Sequence, residues 1–195
     1  MKPVFGELMP KREFVLPIEC CPICGAKDTF QVKGRIDHIP YFGETMETLV
    51  TCSNCKFKHA DVTHLEEHEP MRHEFSISSE DDMMIRVVRS STGTIKVPEL
   101  GVVVKPCSAS EGYITNIEGV LDRIEKAIRL AIVRADPVRH HRGKAKLKKL
   151  EGIRRGKVKA KLIVMDPFGH SAIADRRTKR RKLTKKELAK LKAEL

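Results

Sequence analysis

The sequence is poor in aromatic residues and has no long apolar run. Its 195 residues include seven Phe, two Tyr and no Trp, few for a protein that grips single-stranded nucleic acid by base stacking. The longest uninterrupted apolar stretches, such as 130–133, are far shorter than the roughly 18 residues that span a bilayer. The first 18 residues lack the apolar stretch of a secretory signal peptide. We therefore expect a cytoplasmic protein of one or two domains.

Catalytic signatures are also missing. We find neither a Gly-rich phosphate loop nor a nucleophile elbow. The segment His64-Leu-Glu-Glu-His68 fits the pattern of one class of zinc peptidases, whose ligands must share one face of a helix. Pro70 would end such a helix almost at once, and the surrounding stretch is acidic without an apolar face. We interpret it as a solvated connector and expect no enzymatic activity.

Positive charge is in excess and unevenly distributed. The chain carries 38 Lys and Arg against 26 Asp and Glu, a formal net charge of +12. Residues 139–161 contribute +10 and residues 175–195 contribute +7, so the rest of the chain is acidic on balance. Neither basic segment contains Phe, Tyr or Trp. Two interpretations remain open: solvated helix faces, or surfaces for a phosphate backbone or an acidic protein.

Four of the six cysteines form two pairs with identical spacing, Cys21-Pro-Ile-Cys24 and Cys52-Ser-Asn-Cys55. Zinc prefers four thiolates in a tetrahedron, and a two-residue spacer lets one tight turn aim both sulfurs at one point. The intervening residues 25–51 can form a strand, a turn and a return strand. Four cysteine ligands leave no position for water, so the spacing predicts a structural Zn²⁺ held by Cys21, Cys24, Cys52 and Cys55.

Other roles for the cysteines are weaker hypotheses. A redox motif or an iron–sulfur site could use the same paired thiols. Cys20 lies beside the first pair with a poorer spacing to Cys24, and we interpret it as a bystander. Cys107 is distant in sequence from both pairs, and we predict that it is a small buried hydrophobic residue.

The hydrophobic pattern predicts a β-rich region followed by two helices. Thr115-Asn-Ile-Glu118 fits a capping box, and apolar residues then recur at helical spacing from 117 to 132, before Pro137. A weaker helix between 140 and 152 would complete a helical hairpin. Thr184-Lys-Lys-Glu187 is a second capping box and predicts a short basic C-terminal helix. Strands are predicted at 30–35, 45–50, 57–63, 72–79, 83–88, 94–97, 102–104 and 158–165, the last opening a hairpin through the turn Asp166-Pro-Phe-Gly169.

Several short motifs follow one another in order along residues 20–174. The two cysteine pairs flank Ile39-Pro-Tyr-Phe-Gly-Glu44, and Asp61-Val62 follows the second pair. Further on come Val97-Pro-Glu-Leu100, Thr115-Asn-Ile-Glu-Gly119 and Asp166-Pro-Phe-Gly-His-Ser171. In this order the motifs resemble those of the zinc finger proteins of the ZPR-one type, and the single copy of the module is similar to archaeal members of that family.

The resemblance implies a mainly β fold with an α insertion. A zinc-ribbon-like four-cysteine finger, similar to that of translation initiation factor two, would precede a jelly-roll-like double-stranded β-helix interrupted by the helical hairpin. We accordingly divide the chain into an N-terminal lead (1–19), the finger (20–70), a β-rich domain (71–174) with the hairpin insertion (115–155), and a basic C-terminal tail or helix (175–195).

The resemblance also implies a function. Eukaryotic relatives bind translation elongation factor one-alpha and assist its folding, so we expect a structural-zinc, protein-binding module that acts as a chaperone or assembly factor for this GTPase. Two residues depart from the family pattern: Lys56 replaces a glycine after the second cysteine pair, and His170 replaces an asparagine. The first should alter a turn without removing a ligand, and the second puts one hydrogen bond in doubt.

Two sets of residues are candidates for partner binding. Tyr41 and Phe42 could offer apolar anchors to an incompletely folded partner, or could pack within the finger core. The alternative function is a zinc ribbon that binds nucleic acid or the ribosome through its basic segments. For that function the C-terminal candidates are Arg176, Arg177, Lys179, Arg180, Arg181 and Lys182.

Overall fold

The computed structural model describes residues 12–39, 43–65, 69–107, 109–133 and 135–195. Within these ranges the fold is mainly β with three α-helices, which confirms the predicted fold class. The strands are β1 (Arg12–Cys20), β2 (Lys27–Ile39), β3 (Gly43–Cys52), β4 (Lys58–His64), β5 (Met71–Ile77), β6 (Arg86–Arg89), β7 (Thr94–Val97), β8 (Val102–Val104), β9 (Tyr113–Asn116), β10 (Ala160–Asp166), β11 (Ala172–Ile173) and β12 (Lys179–Lys182). The helices are α1 (Ile117–Val133), α2 (Pro137–Arg154) and α3 (Lys185–Lys192).

The first four strands form an antiparallel sheet in the order β1-β2-β3-β4, hereafter the finger sheet. Strands β2 to β4 correspond to predicted strands; β2 and β3 are longer than the pattern indicated, and β4 is shifted by one residue. Strand β1 was not predicted, because nearly all of its side chains are exposed and it therefore has no alternation of apolar and polar residues. It also contains Pro17, which a strand tolerates at the edge of a sheet.

The remaining strands form a jelly roll of two sheets, in the orders β12-β5-β10-β7-β8 and β11-β6-β9. Their apolar side chains pack into one core together with α1 and α2, and Phe75, Leu121 and Leu162 are at most 1% exposed. Residues 81–84 form a 3-10 turn before β6, so Met83 and Met84, predicted as the beginning of a strand, lie outside it. The C-terminal basic segment belongs to this unit, since β12 pairs with β5 and Leu191 of α3 packs on Ile163 and Met165.

The predicted hairpin at Asp166-Pro-Phe-Gly169 is wrong. Strand β10 pairs with β5 and β7, whereas β11 pairs with β6 in the other sheet. The buried Asp166 carboxylate explains the transfer between sheets, because it accepts hydrogen bonds from the hydroxyls of Ser90 and Ser171, both at 2.6 Å. These bonds hold the ends of β6 and β10 and the start of β11 together.

Helices α1 and α2 form an antiparallel pair. Arg154 of α2 forms ion pairs with Asp122 and Glu125 of α1. Gly143 lets the helices approach closely, since a Cβ atom there would lie 2.1 Å from a methyl group of Ile132. No helix in the described part of the chain is long and apolar enough to cross a membrane.

The residue that caps α1 is Asn116, one position after the predicted Thr115, and the bond is a single N-cap and not a capping box. The Asn116 side chain, not that of Thr115, accepts the hydrogen bond of the first turn, from the N–H of Gly119 at 2.8 Å. Thr115 belongs to β9 instead. At α3 the predicted capping box between Thr184 and Glu187 is present in both directions.

Candidate metal centre

The order of the finger sheet brings the two cysteine pairs together. Residues 21–26 connect β1 to β2, and residues 53–57 connect β3 to β4. In an antiparallel meander these two connections lie at the same end of the sheet. The pairing of Phe30 with Cys52 fixes their relative register, so that the four sulfurs of Cys21, Cys24, Cys52 and Cys55 lie within 4.8 Å of one another.

The distances between the sulfurs match a tetrahedral metal site. The Sγ atoms of Cys21 and Cys55 are 4.0 Å apart, and those of Cys24 and Cys52 are 3.9 Å apart. A zinc ion with Zn–S bonds of about 2.3 Å requires sulfur–sulfur separations of about 3.8 Å. All six cysteines are free thiols, so no disulfide competes for these ligands. The cluster is therefore suited to Zn²⁺ as its cofactor, as predicted.

The two turns that carry the sulfurs have the same local geometry. The N–H of Cys21 donates to the carbonyl of Ala26, and the N–H of Cys52 donates to that of Phe57, both at 2.9 Å. The residue after each pair has a positive φ, +73° at Gly25 and +61° at Lys56. The prediction that Lys56 alters this turn is therefore wrong: the turn is kept, in a conformation that a side chain disfavours. Its Nζ donates to the carbonyl of Ser53 at 2.7 Å.

Hydrogen bonds and mutual repulsion shift the thiol pKa values in opposite directions. The Thr29 hydroxyl, 3.4 Å from the sulfur of Cys52, lowers the pKa of that thiol to about 6, and the Asn54 amide lowers the pKa of Cys24. The pKa of Cys55 is raised to about 11: the N–H of Phe57 favours its thiolate, but partial desolvation and the other three sulfurs outweigh that effect. A fourth thiolate thus needs a cation to offset the accumulated charge, which a divalent metal supplies.

One side of the cluster is shielded and the other faces solvent. Cys21 and Cys52 are 2% and 3% exposed, and they pack against Phe30, whose ring lies 6.2 Å from that of Phe57. Cys24 and Cys55 are exposed. The site therefore has the closed donor set of a structural metal but lies at the tip of the finger sheet.

The two remaining cysteines do not belong to the four-sulfur cluster. Cys20 is exposed at the end of β1, in agreement with its interpretation as a bystander. The prediction that Cys107 is buried is wrong: it is exposed in the loop after β8. There its N–H donates to the Ser110 hydroxyl at 2.8 Å, and the hydroxyl in turn donates to the sulfur at 3.5 Å, which lowers the pKa of the thiol.

Polar and apolar contacts fix the finger sheet to the jelly roll. The carboxylate of Asp61 accepts hydrogen bonds from the N–H and the hydroxyl of Ser91, at 3.0 and 2.9 Å. The N–H of Gly112 donates to the carbonyl of Ala60 at 3.0 Å. A Cβ atom at Gly112 would lie 2.5 Å from Asp61, so this approach requires glycine. Beside these bonds, Ile39 and Val62 of the finger pack on Val88 of β6. The sequence analysis identified the Asp61-Val62 motif but did not indicate that these residues join the finger sheet to the jelly roll.

The predicted partner-binding residues fall into two groups. Tyr41 and Phe42 lie outside the described residues. In the C-terminal group, three side chains form internal ion pairs: Arg177 with Asp82 at 2.9 Å, Arg181 with Glu187 at 2.6 Å, and Lys182 with Glu69. Lys179 and Arg180 are exposed on β12, and Arg176 precedes that strand. This segment is a structural edge of the jelly roll as well as a basic surface.

The peptidase-like pattern does not form a helix where it begins. His64 is the last residue of β4, and residues 66–68 lie outside the described residues. In the described ranges, the four-cysteine cluster is the group of three or more potential ligands that could hold a metal ion.

Comparisons with known proteins agree with these features. The sequence profile of the ZPR1 jelly-roll domain matches residues 81–194. A ZPR1-like protein of Pyrococcus horikoshii is 42% identical over 197 residues, covering 95% of this chain and 85% of its own. A ZPR1-like protein of Methanocaldococcus jannaschii is 40% identical over 173 residues, covering 88% and 87%.

A more distant relative carries a functional name. The zinc finger chaperone zpr1 of Schizosaccharomyces pombe is 27% identical over 158 residues, which cover 78% of this chain but 33% of that protein. This chain thus aligns with about a third of the yeast protein. The jelly-roll match and the two archaeal relatives, which align along nearly their whole length, establish that the chain belongs to the ZPR1 family of zinc finger proteins.

Proposed function

We propose that this chain is a zinc-stabilised protein-binding module and acts as a chaperone or assembly factor for the translation elongation factor one-alpha GTPase. The observation that carries the proposal is the four-sulfur cluster, in which Cys21, Cys24, Cys52 and Cys55 lie within 4.8 Å of one another and offer a closed donor set for a structural Zn²⁺. The name of the S. pombe relative, a zinc finger chaperone, supports a protein as the partner.

Exposed apolar side chains support two contact surfaces for such a partner. Ile23, on the turn between Cys21 and Cys24, is 61% exposed, so an apolar group lies beside the metal site. At the tip of the helical hairpin, Leu130 and Val133 are each 76% exposed and Val138 is 60% exposed. Exposed apolar groups in proximity are typical of protein interaction sites, and they suit a partner that is not yet fully folded.

The proposal can be tested by capture of the purified elongation GTPase during its refolding from denaturant. We expect the zinc-loaded chain to bind the refolding GTPase and to raise the yield of nucleotide-binding-competent protein. Ile23→Ser and the double variant Leu130→Ser/Val133→Ser should each weaken capture, because they remove apolar contact area without touching the core.

Further variants distinguish this function from nonspecific hydrophobic binding. Val103→Ser changes a 49% exposed apolar residue on β8 and should leave capture unchanged. Cys52→Ser should lose zinc and capture together, whereas Cys20→Ser should keep both. Equal recovery of the GTPase by wild type and by Cys52→Ser would remove the finger from the mechanism.

A second candidate function is binding to RNA or the ribosome, and the exposed basic face of α2 favours it. Arg139, Arg142, Lys144, Lys148 and Lys149 are exposed on this helix. Binding by such residues should weaken steeply with salt, because each phosphate contact releases a counterion. Deleting 176–192 is a poor test, since it removes β12 and α3 from the jelly roll. Lys148→Gln/Lys149→Gln is the better variant: a shallow salt slope, or a slope unchanged by these substitutions, would contradict RNA binding.

The chaperone proposal implies a non-enzymatic protein of the cytoplasm. The elongation GTPase works there, and a reducing compartment keeps cysteine ligands available to zinc. The four cysteine ligands leave no coordination position for water or substrate. Metal analysis should find about one zinc per chain.

A further inference from the structure

A cavity that contains none of the cluster cysteines is lined by two arginines. It has a volume of about 260 Å³ and lies where β6, β9 and the first turns of α1 meet. Its lining residues are Arg89, Ala109, Glu111, Gly112, Tyr113 and Arg123. Neither basic segment of the sequence includes these two arginines.

Arg89 is the more unusual of the two, because it is 4% exposed. Its Nε donates to the carbonyl of Gly93 at 2.9 Å, and its Nη1 donates to the carbonyl of Glu111 at 3.1 Å. In the described part of the chain no carboxylate forms an ion pair with it. A buried guanidinium held only by neutral acceptors keeps its full positive charge uncompensated, which is costly unless an anion is bound.

Arg123 brings to the same cavity a second guanidinium that has no carboxylate partner in the described part of the chain. Its guanidinium carbon lies 4.1 Å from the ring centroid of Tyr113, and that of Arg89 lies 5.6 Å from the same centroid. The acidic neighbours of Arg123 on α1 are engaged elsewhere: Asp122 and Glu125 pair with Arg154, and Glu125 also pairs with Arg129. Among the residues that the structure describes, Arg123 therefore has no carboxylate partner.

Tyr113 adds a hydroxyl to the two guanidinium groups. Burial raises the pKa of Tyr113, with the two arginines acting in the opposite direction, so at neutral pH its phenol keeps its proton and can donate a hydrogen bond. Glu111 is the acidic residue of the lining, and it is exposed at the rim. It forms no ion pair with either arginine in the described chain.

We propose that this cavity is a phosphate-binding pocket, with Arg89 and Arg123 as the charged donors and Tyr113 as a neutral donor. Two guanidinium groups offset the charge of a divalent phosphate, and their planar N–H edges match its oxygens. The phosphate is either a free inorganic ion or the terminal phosphate of a nucleotide. The pocket shares no residue with the zinc ligands or with the surfaces proposed to contact the elongation factor.

Calorimetric titration of the zinc-loaded full chain tests the pocket, with the ionic strength held constant by chloride. One arm uses inorganic phosphate and the other uses ADP, and the Nε–H signals of the arginines are followed by NMR. Saturable binding in either arm that shifts the Arg123 signal supports the proposal, and the arm with the higher affinity identifies the source of the phosphate. Absence of saturable binding in both arms would overturn it.

Arg123→Gln is the test variant and Lys126→Gln its matched control. Both side chains are exposed on α1 and both changes remove one positive charge, so neither should unfold the chain. We expect Arg123→Gln to weaken binding about tenfold, since a charge-assisted hydrogen bond is lost, and Lys126→Gln to change it little. Tyr113→Phe should give a smaller loss. Equal losses in Arg123→Gln and Lys126→Gln would reduce the effect to nonspecific charge and refute the pocket.

Discussion

The finger sheet and the jelly roll reach stability in different ways. In the described part of the chain, the core of the jelly roll has eighteen buried residues contributed by both sheets and by α1 and α2. The core at the sulfur end of the finger has three, of which two are the cysteines themselves. A core so small cannot offset the conformational entropy of four ordered strands. We therefore expect metal binding to stabilise the finger sheet as apolar burial stabilises the jelly roll.

Removal of the metal should give the largest difference in stability between the finger sheet and the jelly roll. Structural zinc sites contribute on the order of 10 kcal/mol of apparent folding free energy, so chelation should unfold residues 12–65 while residues 71–192 keep their structure. Hydrogen exchange measured by mass spectrometry checks this segment by segment. Cys52→Ser should reproduce the chelated state and Cys20→Ser should not. Full protection of β2 and β3 after chelation would show that the finger needs no metal.

A substitution that creates a cavity in the core of the jelly roll should have the opposite effect: it should lower the stability of the jelly roll without releasing zinc. Leu121 of α1 is completely buried, and Leu121→Ala should reduce the free energy of unfolding by about 2–5 kcal/mol. Zinc content should stay at the wild-type level, because the sulfur cluster does not depend on this core. Denaturant titration and metal analysis measure the two quantities. The control is Leu130→Ala, at a 76% exposed position, and a comparable loss there would contradict the role of burial.

The contacts between the finger sheet and the jelly roll determine whether destabilising one unit also destabilises the other. Asp61→Ala removes the acceptor of both hydrogen bonds from Ser91 and should destabilise the docked finger by about 1–3 kcal/mol. We expect faster hydrogen exchange in β4 and at residues 90–93, with zinc still bound. Glu19→Ala, at an exposed carboxylate of β1, is the matched control. No change in exchange at either side of the junction would mean that apolar contacts alone hold it.

The smallest predicted effect concerns the C-terminal helix. Thr184→Ala removes the N-cap of α3 and should reduce stability by about 1 kcal/mol, whereas Thr184→Ser keeps the hydroxyl and should retain most of it. Thermal unfolding of the jelly roll compares the two variants. If α3 were an independent tail, neither substitution would change that transition, and the C-terminal segment would no longer count as part of this unit.

The sequence was informative where local chemistry decides the structure. Two cysteine pairs of equal spacing predicted the convergence of the sulfurs, since short turns and metal geometry leave little freedom. The apolar spacing of α1 and the capping box at Thr184 were equally local signals. Each signal is carried by residues a few positions apart, although the two cysteine pairs themselves are separated by residues 25–51.

Features that depend on distant residues escaped prediction. Strand β1 exists because β2 offers a free edge, and its own exposed side chains give no periodic signal. The path of the chain after Asp166 depends on hydroxyls of Ser90 and Ser171, the first of them 76 residues away. The pairing of Arg89 and Arg123 around Tyr113 likewise follows from tertiary packing, so neither arginine is distinguishable in the sequence.

The junction at Asp61 and Gly112 has a consequence for recognition. Hydrogen bonds and the packing of Ile39 and Val62 on Val88 join the two units. These contacts restrict rotation of the finger sheet relative to the jelly roll. A ligand that touches the finger and the jelly roll at once meets both in a preorganised arrangement. Binding of such a ligand does not include the entropic cost of immobilising one unit relative to the other, so more of the contact energy contributes to affinity.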